Sequence, residues 1–191
     1  MKGVSLKSPT EKEQINRNCI IILSTLYFIA LVWVIVFKCN MNEKLCIDQN
    51  RTRTVWERLV YSVYRKPFGD LIYEIKNGKL IELLALISNV VGFVPLGLVY
   101  RFFFNRARAY LFSFATALGV ELFQLVSGYG GLRIEDLFEY MLGVIVGIIL
   151  LEKIIPKIPP KIINKIARVL IHIAIPFDLF FIINTIIHFP G

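Results

Sequence analysis

Several of the usual carriers of chemistry are scarce in this chain. Histidine occurs twice and cysteine three times in 191 residues. Neither falls in the spacing of a Cys-x-x-Cys pair or a His-Glu-x-x-His helix. A phosphate-cradling Gly-x-x-x-x-Gly-Lys loop is missing, and so is a Gly-x-Ser-x-Gly nucleophile turn. These absences exclude a pump driven by its own ATP site and remove the common hydrolase signatures. No cofactor is expected. No metal is expected either: His172 and His188 lie far along the chain from the acidic residues, so carboxylates alone would have to hold one. Charge is sparse as well, 19% of residues against 56% hydrophobic, which is too apolar for an ordinary soluble domain of this length.

Acids are the scarcer sign, 14 against 22 Lys and Arg, for a net charge of +8. In a soluble protein that balance would point to nucleic acid. Here the basic residues gather in segments flanking apolar runs, so membrane lipids are the expected partner and nucleic acid is not.

What is present is long uncharged runs, about five of which approach or exceed the roughly 18 to 20 apolar residues that cross a bilayer. After a polar segment, Met1–Asn18, read as a cytoplasmic tail, Cys19–Phe37 carries no charge. No small-residue cleavage site precedes Lys38, so this run predicts an uncleaved first span. Leu80–Phe104 predicts a second, containing Asn89, Gly92, Pro95 and Gly97, with a kink expected at Pro95. Ala109–Tyr129 predicts a third, and a fourth runs to about Ile155. The last, Val169–Ile187, is interrupted by Pro176 and Asp178 and carries Asn184. Asp178 either serves function or pairs with a neighbouring helix. Between the first two spans, Lys38–Lys79 is too interrupted by charge to cross; it predicts two interfacial helices broken around Pro67 and Gly69, with membrane anchoring preferred over ligand contact. The expected fold is therefore all-α: a polytopic membrane helical bundle with about five transmembrane helices plus interfacial helices in the first external loop. Residues 19–191 would form a single membrane domain.

Charge sets the expected orientation. With the N-terminus cytoplasmic, the basic segments Arg101–Arg108 and Glu152–Arg168 are also cytoplasmic, while the Gly128–Glu135 turn and the C-terminus are extracellular. The long first loop runs against this rule, since it would be external and holds nine basic residues. In this orientation Cys39 and Cys46 lie on the oxidising side, six residues of chain between them. They are disulfide candidates, in a loop whose closure is worth about 2 to 3 kcal/mol; two free thiols are the alternative.

The polar residues of the spans concentrate in one hairpin, LGVELFQLVSGYGGLRIEDLFEYMLGVIVG, from Leu118 to Gly147. It carries Glu121, Gln124, Arg133, Glu135, Asp136 and Glu139 at a depth where ionisable groups are expensive. Glu121 and Gln124 share a helical face, and so do Asp136, Glu139, Gly143 and Gly147. Asp136 also stands where a carboxylate suits a starting helix, so a cap is its alternative role. The glycines read as close-packing positions rather than a binding site. Asn89 should lie at similar depth, giving a polar site from three helices that opens to the outer leaflet.

At these residues the chain resembles the VanZ-like membrane proteins. LVWVIVFK at Leu31–Lys38, SNVVGFVPLG at Ser88–Gly97, ELFQL at Glu121–Leu125 and IEDLF…LGVIVG at Ile134–Gly147 match the order and spacing of that family's segments, over roughly residues 26–151. The resemblance places Asn89, Pro95, Gly97, Glu121, Gln124, Asp136 and Gly143 at family positions. The chain departs from the pattern at Tyr140, where the family commonly has Asn, at Glu135, where it has Asp, and at Lys66–Phe68, a shortened segment. The family's named member is associated with resistance to the glycopeptide teicoplanin without alteration of the cell-wall precursor target.

Two classes of function stay open. In the preferred one, an amphiphilic ligand, a lipoglycopeptide such as teicoplanin or a lipid-linked envelope precursor, binds at the outer-leaflet polar site formed by Asn89, Glu121, Gln124, Arg133, Glu135, Asp136 and Glu139. The role would be glycopeptide resistance or envelope homeostasis. In the other, a membrane enzyme acts on such a lipid with Glu121 or Asp136 as acid or base.

Overall fold

The computed structural model describes residues 16–37, 53–64, 66–78, 80–128 and 132–188. Cys39 and Cys46 lie outside these residues, as does the tail before Asn16. Every regular element among the described residues is helical. In chain order these are α1 (Arg17–Phe37), α2 (Val55–Tyr64), α3 (Gly69–Lys76), α4 (Ile81–Phe103), α5 (Arg106–Ser127), α6 (Ile134–Ile149) and α7 (Pro160–His188). Two segments, Leu83–Phe103 and Arg106–Ser127, are long and apolar enough to cross a membrane, with mean hydropathies of 2.0 and 1.5. The apolar part of α1, Arg17–Val32, is shorter.

The chain divides into two compact units. One holds residues 31–151 and contains α2 to α6. Its spine is the pair α4 and α6, the most extensive helix contact among the described residues. Glycine makes this approach possible. A Cβ on Gly97 would run into the Val144 carbonyl, one on Gly143 into the Val90 carbonyl, and one on Gly147 into the Val94 carbonyl. Small residues let two helix backbones meet where lipid-like surroundings offer no hydrophobic drive. Because Val90 meets Gly143 and Val94 meets Gly147, the two helices run in the same direction, with α5 returning between them. Pro95 sits within α4 and withholds the N–H that the Val91 carbonyl would accept, yet the helix continues through it to Phe103.

Short connections fix the rest of this unit. Asn105 caps α5, its side-chain oxygen accepting from the Arg108 N–H at 3.0 Å. At the same end, the Tyr100 hydroxyl meets Thr116 Oγ1 at 2.8 Å and ties α4 to α5. Gly128, left-handed at φ 77, ends α5 and gives its N–H to the Gln124 carbonyl. Helix α2 opens with a reciprocal cap: the Thr54 N–H donates to Glu57 Oε2 at 2.7 Å, and the Glu57 N–H to Thr54 Oγ1 at 3.2 Å. The Thr54 bonds hold the Glu57 carboxyl below its ordinary range. Pro67 and Phe68, the latter at φ 56, separate α2 from α3, at the break the sequence predicts.

The other unit comprises residues 1–30 and 152–191. Asn16 caps α1, accepting from the Asn18 N–H at 3.0 Å, and its own N–H donates to Asn164 Oδ1 of α7 at 2.8 Å. The sequence expectation of a long connection over Glu152–Arg168 is corrected here. The chain leaves α6 through a π turn, Leu150–Ile154, and a 3-10 turn, Ile155–Lys157. α7 then begins at Pro160 and runs through Pro176 without a break. Pro160 has no N–H to lose in a first helical turn, which is why it starts a helix rather than prolonging a loop.

Candidate functional site

Six polar residues expected to gather are buried in the α4–α6 unit: Asn89, Glu121, Gln124, Glu135, Asp136 and Glu139 are each no more than 8% exposed. Many of the large apolar side chains face the other way. Leu84 and Val91 on α4, Leu111 and Val126 on α5, and Phe138 and Leu142 on α6 are all more than half exposed. Water favours the reverse arrangement.

Specific bonds join the polar groups across helices. Asn89 Nδ2 on α4 donates to Glu139 Oε2 on α6 at 2.7 Å. Glu121 on α5, 1% exposed, accepts the backbone N–H of Arg133 at 2.8 Å. Arg133 is the residue that caps α6, and its own side chain makes no cap bond. Glu121 thus supplies from a neighbouring helix what the local sequence does not, an acceptor at a helix start. Arg133 Nε donates to Glu135 Oε1 at 3.1 Å and stands 3.5 Å from Asp136 Oδ1. Both acids occupy the first turn of α6, where the helix dipole favours negative charge. Asp136 is therefore a first-turn carboxylate paired with Arg133, not the capping residue.

Two further buried residues were not singled out for the site by sequence: Tyr140, which joins the cluster, and Arg58, which lies outside it at the end of α5. Tyr140, 2% exposed, stacks on Phe93 with ring centroids 3.9 Å apart and planes 11° from parallel. Its phenol is directed at the Glu121 carboxylate, with Asp136 and Glu139 near enough to act on it electrostatically. Its place four positions after Asp136, on the same helical face, was the available signal. Arg58 on α2 is 9% exposed, and its Nη1 donates to the Leu125 carbonyl at 2.6 Å and to Val126 at 3.4 Å. A cation on the last carbonyls of α5 complements that helix's negative end. Nothing local distinguishes Arg58 from the other basic residues of its segment.

Asp178 belongs to α7, in the other unit. It is 5% exposed, and its Oδ2 has no hydrogen-bond partner among the described residues. The side chain of Asn184 lies outside those residues. No group of three or more His, Cys, Asp or Glu side chains among the described residues is arranged to hold a metal ion.

Chemically, the cluster sets four carboxyl groups against one guanidinium, with an amide from Asn89, an amide from Gln124 and a phenol beside them. Such a set accepts hydrogen bonds more readily than it donates them.

No curated protein and no solved structure matches the chain. The model of one family does, VanZ/LLP1, over residues 24–155, a stretch that includes α4, α5, α6 and every residue of the polar cluster. By that match the chain belongs to the VanZ/LLP1 family.

Proposed function

We propose that this VanZ/LLP1 protein is a multi-pass membrane protein that binds an amphiphilic ligand from the outer leaflet at the polar cluster of α4, α5 and α6. The observation that carries the reading is the burial pattern, with carboxyl and amide groups among the buried side chains and many large apolar side chains outside. That pattern suits lipid around the helices and a polar ligand between them. Two ligand classes come into question, a lipoglycopeptide such as teicoplanin and a lipid-linked envelope precursor. Four carboxyl groups against one arginine favour a ligand presenting amines and hydroxyls over one presenting a pyrophosphate, which like-charge repulsion would oppose. The role is then sequestration or movement of that ligand, in glycopeptide resistance or envelope homeostasis.

An enzyme acting on a lipid would need a carboxyl group placed to exchange a proton with substrate. Glu121 and Asp136 are each engaged with Arg133, by its backbone and by its side chain respectively. The pairing of Asp136 with the Arg133 side chain favours binding over acid–base chemistry at that residue.

The test is purified protein in lipid nanodiscs, offered labelled teicoplanin and labelled undecaprenyl-linked precursor separately. Saturable binding of teicoplanin, lost in Asn89→Ala and Glu139→Ala, is the expected result. Chemical turnover of the precursor would reject the binding reading in favour of the enzyme.

A further inference from the structure

Helix α2 has its charge and its aromatics on unexpected sides. Arg58 is buried against α5, while Trp56 is 70%, Tyr61 58% and Tyr64 84% exposed. At about 100° per residue, Trp56, Val60 and Tyr64 fall on the side of the helix away from Arg58. Together with Arg53, Glu57 and Tyr61 they line a shallow open groove along that side. The Arg53 guanidinium lies 5.1 Å from the centre of the Tyr61 ring, a cation–π distance.

The depth of this groove is set by its anchor. α5 has 22 residues, which at about 1.5 Å each is close to the roughly 30 Å thickness of a bilayer's hydrocarbon core. Its last turn, whose Leu125 carbonyl Arg58 holds, therefore stands where hydrocarbon gives way to headgroups. The α2 groove is held at that level. Tryptophan and tyrosine favour this layer because each pairs an apolar ring with a polar edge.

We infer that the outward groove of α2 is a phospholipid-binding surface: Trp56, Val60, Tyr61 and Tyr64 take the glycerol–acyl junction of a membrane lipid, and Arg53 takes its phosphate. Glu57 stands beside Arg53 and offsets its charge, so the surface accepts zwitterionic and anionic lipids alike. Arg58 acts as the positioning residue that fixes the groove to the end of α5. The inference rests on the reading of α5 as a membrane span.

Trp33→Phe leaves Trp56 as the sole tryptophan. In phosphatidylcholine nanodiscs its fluorescence should be quenched several-fold more by lipids brominated near the headgroup end of the acyl chain than by lipids brominated near the terminal methyl. Aqueous iodide should quench it weakly. Replacing phosphatidylcholine by phosphatidylglycerol should change the lipid quenching little, and Arg58→Gln should raise iodide quenching several-fold. If Trp33→Phe does not accumulate, the difference between wild type and Trp56→Phe isolates the same signal. Iodide quenching like that of a free indole, with no lipid quenching, overturns the inference and leaves the groove open to water or to a protein partner. Resistance of the wild-type chain to carbonate extraction is measured alongside. Extraction would sink the span reading itself, whereas retention with an iodide-accessible Trp56 would sink the groove alone.

Discussion

Glu121 has a structural duty before any other. Its Oε2 accepts the N–H of Arg133, a group at the start of a different helix, so losing that acceptor would leave a part-buried donor without this bond, at about 1 to 3 kcal/mol. Glu121→Gln keeps an oxygen in place and removes the charge. It should fold and accumulate as wild type does, while Glu121→Leu should lose about 1 to 3 kcal/mol in thermal unfolding in detergent. Teicoplanin binding separates the roles further: if it falls in Glu121→Gln with normal membrane levels, ionisation is used; if it is unchanged, the carboxylate serves as an acceptor alone. Tyr140 belongs to the same scale. Its ring packs flat on Phe93 and its phenol faces the carboxyl groups, so a residue that departs from the family pattern is built into the cluster.

At the scale of elements, the parallel pair α4 and α6 decides where the cluster forms. Gly97, Gly143 and Gly147 leave no room for a side chain at the crossing. Gly143→Val must push the helices apart at the Val90 carbonyl, costing about 1 to 3 kcal/mol or more as overpacking. Because Asn89 adjoins Val90, Glu139 lies one turn before Gly143, and the two bond at 2.7 Å, the same change should also abolish binding. A Gly143→Val protein that keeps wild-type stability and wild-type binding would refute this account of the crossing. The arginines at the start of α5 are informative in another way. Arg106 and Arg108 stand at a helix start, where the dipole disfavours cations, and no acid accompanies them in the first turn. On the proposed topology they hold this loop on the cytoplasmic side of the membrane.

The whole molecule carries the topological proposal: N-terminus inside, C-terminus outside. An alkaline phosphatase fusion after Gly191 should be active and a fluorescent-protein fusion there dark. The opposite pair of results would overturn the orientation and move the polar cluster to the inner leaflet. Two segments meet the length and hydropathy of a span by themselves. α6 has 16 residues before the π turn begins, and whether it crosses with that turn or stops short is part of what such fusions, placed along the chain, would read.

Composition and periodicity alone determined that the chain is helical and apolar, that a break falls at Pro67, that a hairpin follows Leu118, and that its acids and glycines share helical faces. These are properties of residues a few positions apart, which chain geometry brings together whatever the rest of the molecule does. Tertiary structure decided the partners. Asn89 meets Glu139 across fifty positions and Arg58 meets Leu125 across sixty-seven; each depends on how neighbouring helices are rotated and how deep they sit, which no local pattern encodes. The start of α7 at Pro160 was missed for a related reason: three prolines and five basic residues look like a loop in one dimension, but a proline in a first helical turn costs the helix no hydrogen bond.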